Sequence, residues 1–208
     1  MTNTPWRFGR VLAILWMAGA FSLFAKADTL LWGGHPEFGI EVEQERMAAT
    51  ATRSNSITLT PSLVFANSGI DRIDMLITGE REKATDGSTA HASNIGFRVK
   101  KAVTLHEEWG MYVRALVGQS FKSDDHHIYA YTDAALTYDQ EVFGFMAGVR
   151  VQRNLDGGDS HNVNKIRLGP SFELGQHHEL EFRWERAWDS RSHARDSDSA
   201  NIEYTYKF

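Results

Sequence analysis

The stretch Glu179-Leu180-Glu181-Phe182-Arg183-Trp184-Glu185-Arg186-Ala187-Trp188 decides the fold. Leu180, Phe182, Trp184 and Trp188 share one parity, and Glu179, Glu181, Arg183 and Glu185 the other. A period of two sends them to opposite faces of a β-strand, whereas a helix would scatter them around its circumference. The last seven residues repeat the pattern, with Ile202, Tyr204, Tyr206 and Phe208 on one face and Glu203, Thr205 and Lys207 on the other.

Working back from these two segments, the alternation predicts ten strands, at about 38–48, 57–66, 71–83, 93–105, 109–122, 127–138, 143–155, 163–174, 178–189 and 200–208. Most are longer than the five or six residues usual in a soluble strand and match the roughly 9–11 tilted residues that cross a bilayer. Their connections alternate too. Short ones fall at 67–69, 106–108, 139–141 and 175–177, and longer polar ones at 50–56, 84–92, 122–126, 156–162 and 190–199. An even strand number with this alternation is the plan of a closed antiparallel transmembrane β-barrel, about ten strands with eight or twelve as alternatives, with tight periplasmic turns and longer external loops.

Composition sets the outer bounds. The chain has 208 residues, enough for one domain, and 12% aromatic residues with four Pro are too apolar for disorder. Mean hydropathy is −0.39, and no run after residue 27 approaches the roughly 20 apolar residues of a spanning helix, which excludes a helical membrane protein. The lack of Cys excludes disulfide scaffolds, thiolate metal sites and thiol nucleophiles. A formal charge of −5 argues against a nucleic-acid partner.

Residues 1–27 read as a cleaved signal peptide. Arg7 and Arg10 precede an apolar run from Val11, and Ala25-Lys26-Ala27 supplies a small-x-small cleavage site. Cleavage removes three cations and no acid, leaving a single 28–208 barrel domain of 181 residues at charge −8.

Alternation alone does not say which face is outside, since a lipocalin-like barrel turns its apolar face inward. The polar face points to an ionic lumen. It carries Arg98, Lys100, Arg114, Arg150, Arg167 and Arg183 as a basic wall, and Glu41, Glu43, Glu45, Glu179, Glu181, Glu185 and Glu203 as an acidic wall opposite most of the bases. Aromatics gather near strand ends at Phe65, Trp109, Tyr138, Phe143, Trp188 and Phe208, where a lipid–water interface favours amphipathic rings. Pro61 and Pro170 fall inside expected strands and call for a bulge or a break. Lys101 and Arg186 fall on the apolar face and must lie near a rim, where their stems can snorkel.

The ending Tyr204-Thr205-Tyr206-Lys207-Phe208, with the signal peptide, resembles Gram-negative outer-membrane β-barrel proteins. The resemblance implies an outer-membrane location, surrounding lipid, and recognition of Tyr204, Tyr206 and Phe208 by the barrel-assembly machinery. The basic lumen is similar in plan to the oligogalacturonate-specific porins, which have more strands. It suggests a narrow porin-like channel for small charged solutes, including anionic sugars bound by Arg forks. The alternative is a non-conducting structural or surface barrel whose charges form an internal ion-pair ladder.

Asp and His recur in the long loops, most densely at Asp124-Asp125-His126-His127. Solvated loop chemistry explains them most simply. They are also candidate metal ligands, and they resemble the outer-rim site of the omptin proteases, which would make the chain an outer-membrane hydrolase. No catalytic residue and no cofactor is expected.

Overall fold

The computed structural model describes residues 34–65, 69–122, 125–156 and 162–208, so the expected signal peptide lies outside the described residues. Ten strands follow one another: β1 Gly34–Met47, β2 Arg53–Phe65, β3 Arg72–Lys83, β4 Thr89–His106, β5 Trp109–Lys122, β6 Asp125–Asp139, β7 Phe143–Asn154, β8 Val163–Glu173, β9 His178–Asp189 and β10 Arg195–Lys207. Each pairs antiparallel with its neighbours in sequence, and β10 pairs with β1 to close the barrel.

The register can be followed once around. From Met47 it passes through Ser197, Ala187, Lys165, Arg150, Asp133, Arg114, Lys100, Arg72 and Val64 to His35, twelve residues down β1 from its start. Ten strands with a stagger of twelve fix a strand tilt of roughly 40° and a backbone radius of roughly 10 Å. A cylinder of that width encloses side chains and little else.

The distribution of side chains is inside-out for a soluble protein. The largest fully buried side chains are Arg167, Asp74, Asp133, Ser62 and Ser197. Phe97 is 61% exposed, and Val117 and Val149 are each 56% exposed, on the outer face. Apolar surface of this extent has no business in water and belongs against lipid. At the rim that holds Gly34 and Phe208, Trp109 packs on Tyr138, Phe143 on Phe172 and Tyr206 on Phe208, with ring centroids 5.1, 5.7 and 4.8 Å apart.

The strands run further at the opposite rim than alternation suggests. β2 starts at Arg53, β4 at Thr89 and β10 at Arg195, each ahead of its expected start at 57, 93 and 200. Beyond the apolar belt both faces meet polar surroundings, so the two-residue signal fades while the hydrogen-bond ladder continues. The connections there are correspondingly shorter than expected.

Neither the bulge nor the strand break expected at the prolines occurs. Around Pro61, Leu59 pairs with Ile77 and Ser62 with Asp74 in one unbroken register; around Pro170, Leu168 pairs with Trp184 and Ser171 with Glu181 in the same way. Each proline instead leaves a short gap in one ladder and faces outward beside an aromatic, Pro61 opposite Phe38 and Pro170 opposite Phe145. Lys101 reaches Asp71 at 2.7 Å beside the β2–β3 turn, and Arg186 pairs with Asp198 at 2.7 Å near the other rim, so both cations end at a margin of the belt.

Candidate functional site: the charged lumen

Every residue expected on the two walls faces the lumen. Glu41, Glu43 and Glu45 come from β1, Arg98 and Lys100 from β4, Arg114 from β5, Arg150 from β7 and Arg167 from β8. β9 supplies Glu179, Glu181, Arg183 and Glu185, and β10 supplies Glu203. The strand pleat fixes this: a residue of the same parity as Phe182 meets lipid, and its neighbours meet the interior.

The charges interleave more closely than two facing walls. Asp133 of β6 accepts from Arg114, Arg150 and Arg167 at 2.8, 3.1 and 3.0 Å. Arg167 also donates to Glu185 at 2.9 Å, and Glu185 receives Lys165 at 3.5 Å and Arg183 at 2.8 Å. Arg183 then binds Glu41 and Glu181 at 2.7 Å each and Glu203 at 3.5 Å. This one network joins five cations to five carboxylates, so it carries no net charge. Neutrality is what makes so much ionic material tolerable in a confined interior. A second cluster centres on Asp74, which accepts from Arg72 at 2.6 Å and Arg98 at 2.5 Å, while Arg72 also binds Glu37 at 2.7 Å. Arg183 thus stands inside the acidic wall, and Asp133 and Asp74 stand inside the basic one.

Asp133, Asp74, Arg72 and Lys165 were not among the expected site residues. The signal was present, since Asp74 lies between Ile73 and Met75 and Asp133 keeps the lumen parity of Tyr131 and Ala135. A single acid in a strand draws less notice than a run of them.

Open space remains above, within and below the network. At the rim with Gly34 and Phe208 lies a cavity of about 450 Å³ lined by Lys100, Tyr112, Arg114, Thr137, Glu179 and Glu181, among others. At the opposite rim a cavity of about 310 Å³ is lined by Glu43, Glu45, Glu80, Lys122, Lys165 and Gln152, among others. Between them is a waist of about 100 Å³, where Arg72, Arg98, Lys100 and Arg114 of β3–β5 face Glu179, Glu181 and Glu203 of β9–β10. That volume holds about three waters. Cations over aromatic rings shape its basic side: Lys100 and Arg114 lie 4.8 and 4.6 Å from the Tyr112 ring centre. Gly118 leaves the space through which the Tyr129 ring crosses, 2.8 Å from where a Cβ would stand.

Of the four candidate metal ligands, two have described side chains, and these point to opposite faces of the barrel wall. Asp124 and the side chain of Asp125 lie outside the described residues. His126 and His127, expected at a loop edge, belong to β6, and the pleat parts them: His126 packs on Phe121 outside, while His127 lines the outer cavity. Among the described residues no three such side chains gather as ligands. Two of the loop acids that are described serve their own turns. Asp86 accepts from the Ser88 N–H at 2.8 Å, and Asp189 accepts from the N–H groups of Arg191 and Ser192 at 3.1 and 2.7 Å. Asp159 and His161 lie outside the described residues.

Comparison of the sequence with family models and with curated proteins finds no match. Solved structures do match. An outer membrane channel from Pseudomonas putida F1 aligns over 84% of this chain and 96% of its own, at 10% identity and a TM-score of 0.55. The translocator domain of the autotransporter NalP from Neisseria meningitidis aligns over 96% of this chain and 98% of its own, at 10% identity and a TM-score of 0.50. The chain has the outer-membrane β-barrel fold. The exposed apolar belt of its outer face is the surface that barrels of this fold turn to lipid. In the plan of such barrels the rim with the short turns, here the one that holds Gly34, Phe208 and the turns at 107–108 and 140–142, is the periplasmic one, and the opposite rim is the outer one.

Proposed function

We propose that the barrel is a narrow outer-membrane channel that passes water and small ions through a charged waist. One observation carries this reading: the three cavities share lining residues in series. The periplasmic cavity shares Lys100, Arg114, Glu179 and Glu181 with the waist, and the waist shares Arg98 with the outer cavity. Bases on one side and carboxylates on the other set up a field across the path, which selects by charge and strips loosely held water. A small inorganic anion fits the waist as it stands. An anionic sugar would require the Arg72–Asp74–Arg98 cluster to part.

The competing reading is a barrel that does not conduct and is stiffened by its ion pairs. The ten charges joined through Asp133, Glu185 and Arg183 favour it. We also propose that Tyr204, Tyr206 and Phe208, which face outward along β10, are read by the barrel-assembly machinery.

Planar-bilayer recording of the folded protein decides between channel and plug. Discrete current steps, smaller than those of a sixteen-stranded porin, support the channel. A silent bilayer with protein that shows the heat-dependent gel mobility of a closed barrel overturns it in favour of the stiffened barrel.

A further inference from the structure

The cations on the outer surface of the barrel are of two kinds. Arg186 pairs with Asp198, Lys101 pairs with Asp71, and Arg153 donates to Asn164 and to the carbonyls of Gln152 and Val163. Arg46, Arg53, Arg81 and Lys83 are exposed, and among the described residues their side chains make no ion pair or hydrogen bond. These four share one sector of the outer rim. Arg53 of β2 stands opposite Arg46 of β1 on one side and Lys83 of β3 on the other, so three cations occupy one row across three strands. Arg81 lies two residues along β3, between Asn55 and His91.

Directly opposite side chains are about 5 Å apart at Cβ, and like charges at that spacing destabilise the pairing. Among the described residues, the acids nearest this row are engaged elsewhere or turned inward. Glu45, Glu80 and Glu82 of the same strands face the lumen. Asp198 stands opposite Arg46, but Arg186 and Arg195 engage its carboxylate. Asp86, in the turn after β3, accepts from Ser88.

The depth of the row suggests what supplies the charge. On the same outward face the strands continue as Val42, Ile57 and Ile77, with Gln44, Asn55 and Gly79 between the belt and the cations. Four residues of tilted strand separate Arg46 from Val42 and Arg53 from Ile57, about 10 Å along the membrane normal. That is headgroup depth. We propose that this row is a binding site for the phosphate groups of an outer-leaflet lipid, whose acyl chains lie along Val42, Ile57 and Ile77. Guanidinium forks at Arg46 and Arg53 suit phosphate oxygens in bidentate geometry, and Lys83 adds a mobile point charge. The belt directly beneath commits the site to a lipid rather than to free phosphate. The assignment is independent of whether the lumen conducts.

The test uses the folded full-length barrel in mild detergent, with lipid A carrying both phosphates, dephosphorylated lipid A, or inorganic phosphate as probes, and native mass spectrometry as readout. The unaltered barrel retains bisphosphorylated lipid A in preference to the dephosphorylated form. The triple variant Arg46→Gln, Arg53→Gln, Lys83→Gln loses that retention by about a hundredfold, as three surface cations near an anionic headgroup imply. Arg46→Lys with Arg53→Lys keeps the charge and most of the retention, and Arg153→Gln leaves it unchanged. Heat-dependent gel mobility checks that each variant is a closed barrel. Equal retention by the folded triple variant, or equal retention of the dephosphorylated lipid, overturns the site. Displacement of the lipid by millimolar inorganic phosphate overturns the assignment to a lipid.

Discussion

Arg183 of β9 reaches across β10 to Glu41 of β1, its Nη2 donating at 2.7 Å over a sequence separation of 142 residues. The contact bridges the seam where the last strand meets the first. The same guanidinium serves Glu181, Glu185 and Glu203, so one side chain holds four carboxylates in place.

Replacing Arg183 with Met takes this partner from Glu41, Glu181 and Glu203 and leaves Glu185 with Arg167 and Lys165 alone. The loss should approach the 3–5 kcal/mol typical of breaking a buried ion pair, or roughly that. Urea unfolding in lipid or detergent, followed by gel mobility, reads it as a lower midpoint. Arg183→Lys should recover part of the loss, since one ammonium cannot span four acceptors. An unchanged midpoint for Arg183→Met would mean that the network adds nothing to stability.

Asp133→Asn removes the carboxylate shared by Arg114, Arg150 and Arg167 and leaves the lumen more positive. In a channel, the reversal potential in a KCl gradient then moves toward the chloride potential. Arg183→Gln moves it toward potassium. Shifts of the same sign in both variants would disconnect these residues from the ion path.

Gly169 tests the close passage of β8 past β9. A Cβ there would fall within 1.9 Å of the Phe182 carbonyl oxygen, which is backbone and cannot swing aside. Gly169→Ala should cost about 1–3 kcal/mol or prevent closure. Gly79→Ala, with nothing within 4 Å, should stay within about 0.5 kcal/mol. Paired unfolding midpoints compare them.

At the periplasmic margin, a hydrogen bond from Lys101 and a second from the Ala102 N–H hold the Asp71 carboxyl below its usual range. A carboxylate depressed in the folded state contributes stability that is present above its unfolded pKa of about 3.9 and is lost as pH falls through the lower folded value. Asp71→Asn should therefore narrow the stability difference between neutral and strongly acidic pH. Acid titration of the unfolding midpoint for both proteins checks it; parallel curves would count against the pair.

Phe208→Ala should lower the share of chains that reach the membrane as heat-modifiable barrels while leaving the unfolding midpoint of the folded fraction nearly unchanged. Phe208 packs on Tyr206 at the outer face of the rim and is 51% exposed, so its role in holding the finished barrel together is small. A large fall in the midpoint would make it a packing residue instead.

Much of this was legible in the chain. The parity of Leu180, Phe182 and Trp184 against Glu181, Arg183 and Glu185 gave both the strand and its two faces. The outer ends of β2 and β10 were not legible, because Arg53–Ser56 and Arg195–Ser199 are polar on both faces and carry no alternation. The split of His126 from His127 was hidden for the same reason.

The sequence by itself determined that the strands exist and which side chains turn inward, because a two-residue repeat is local and survives any arrangement of the strands. Only the closed barrel decided which charges meet. The twelve-residue stagger brings Arg183 to Glu41, and Arg167 to Asp133, from strands that carry no mark of each other, and it sets Arg53 between Arg46 and Lys83. Partnership depends on register and curvature summed over all ten strands, a quantity no single segment contains.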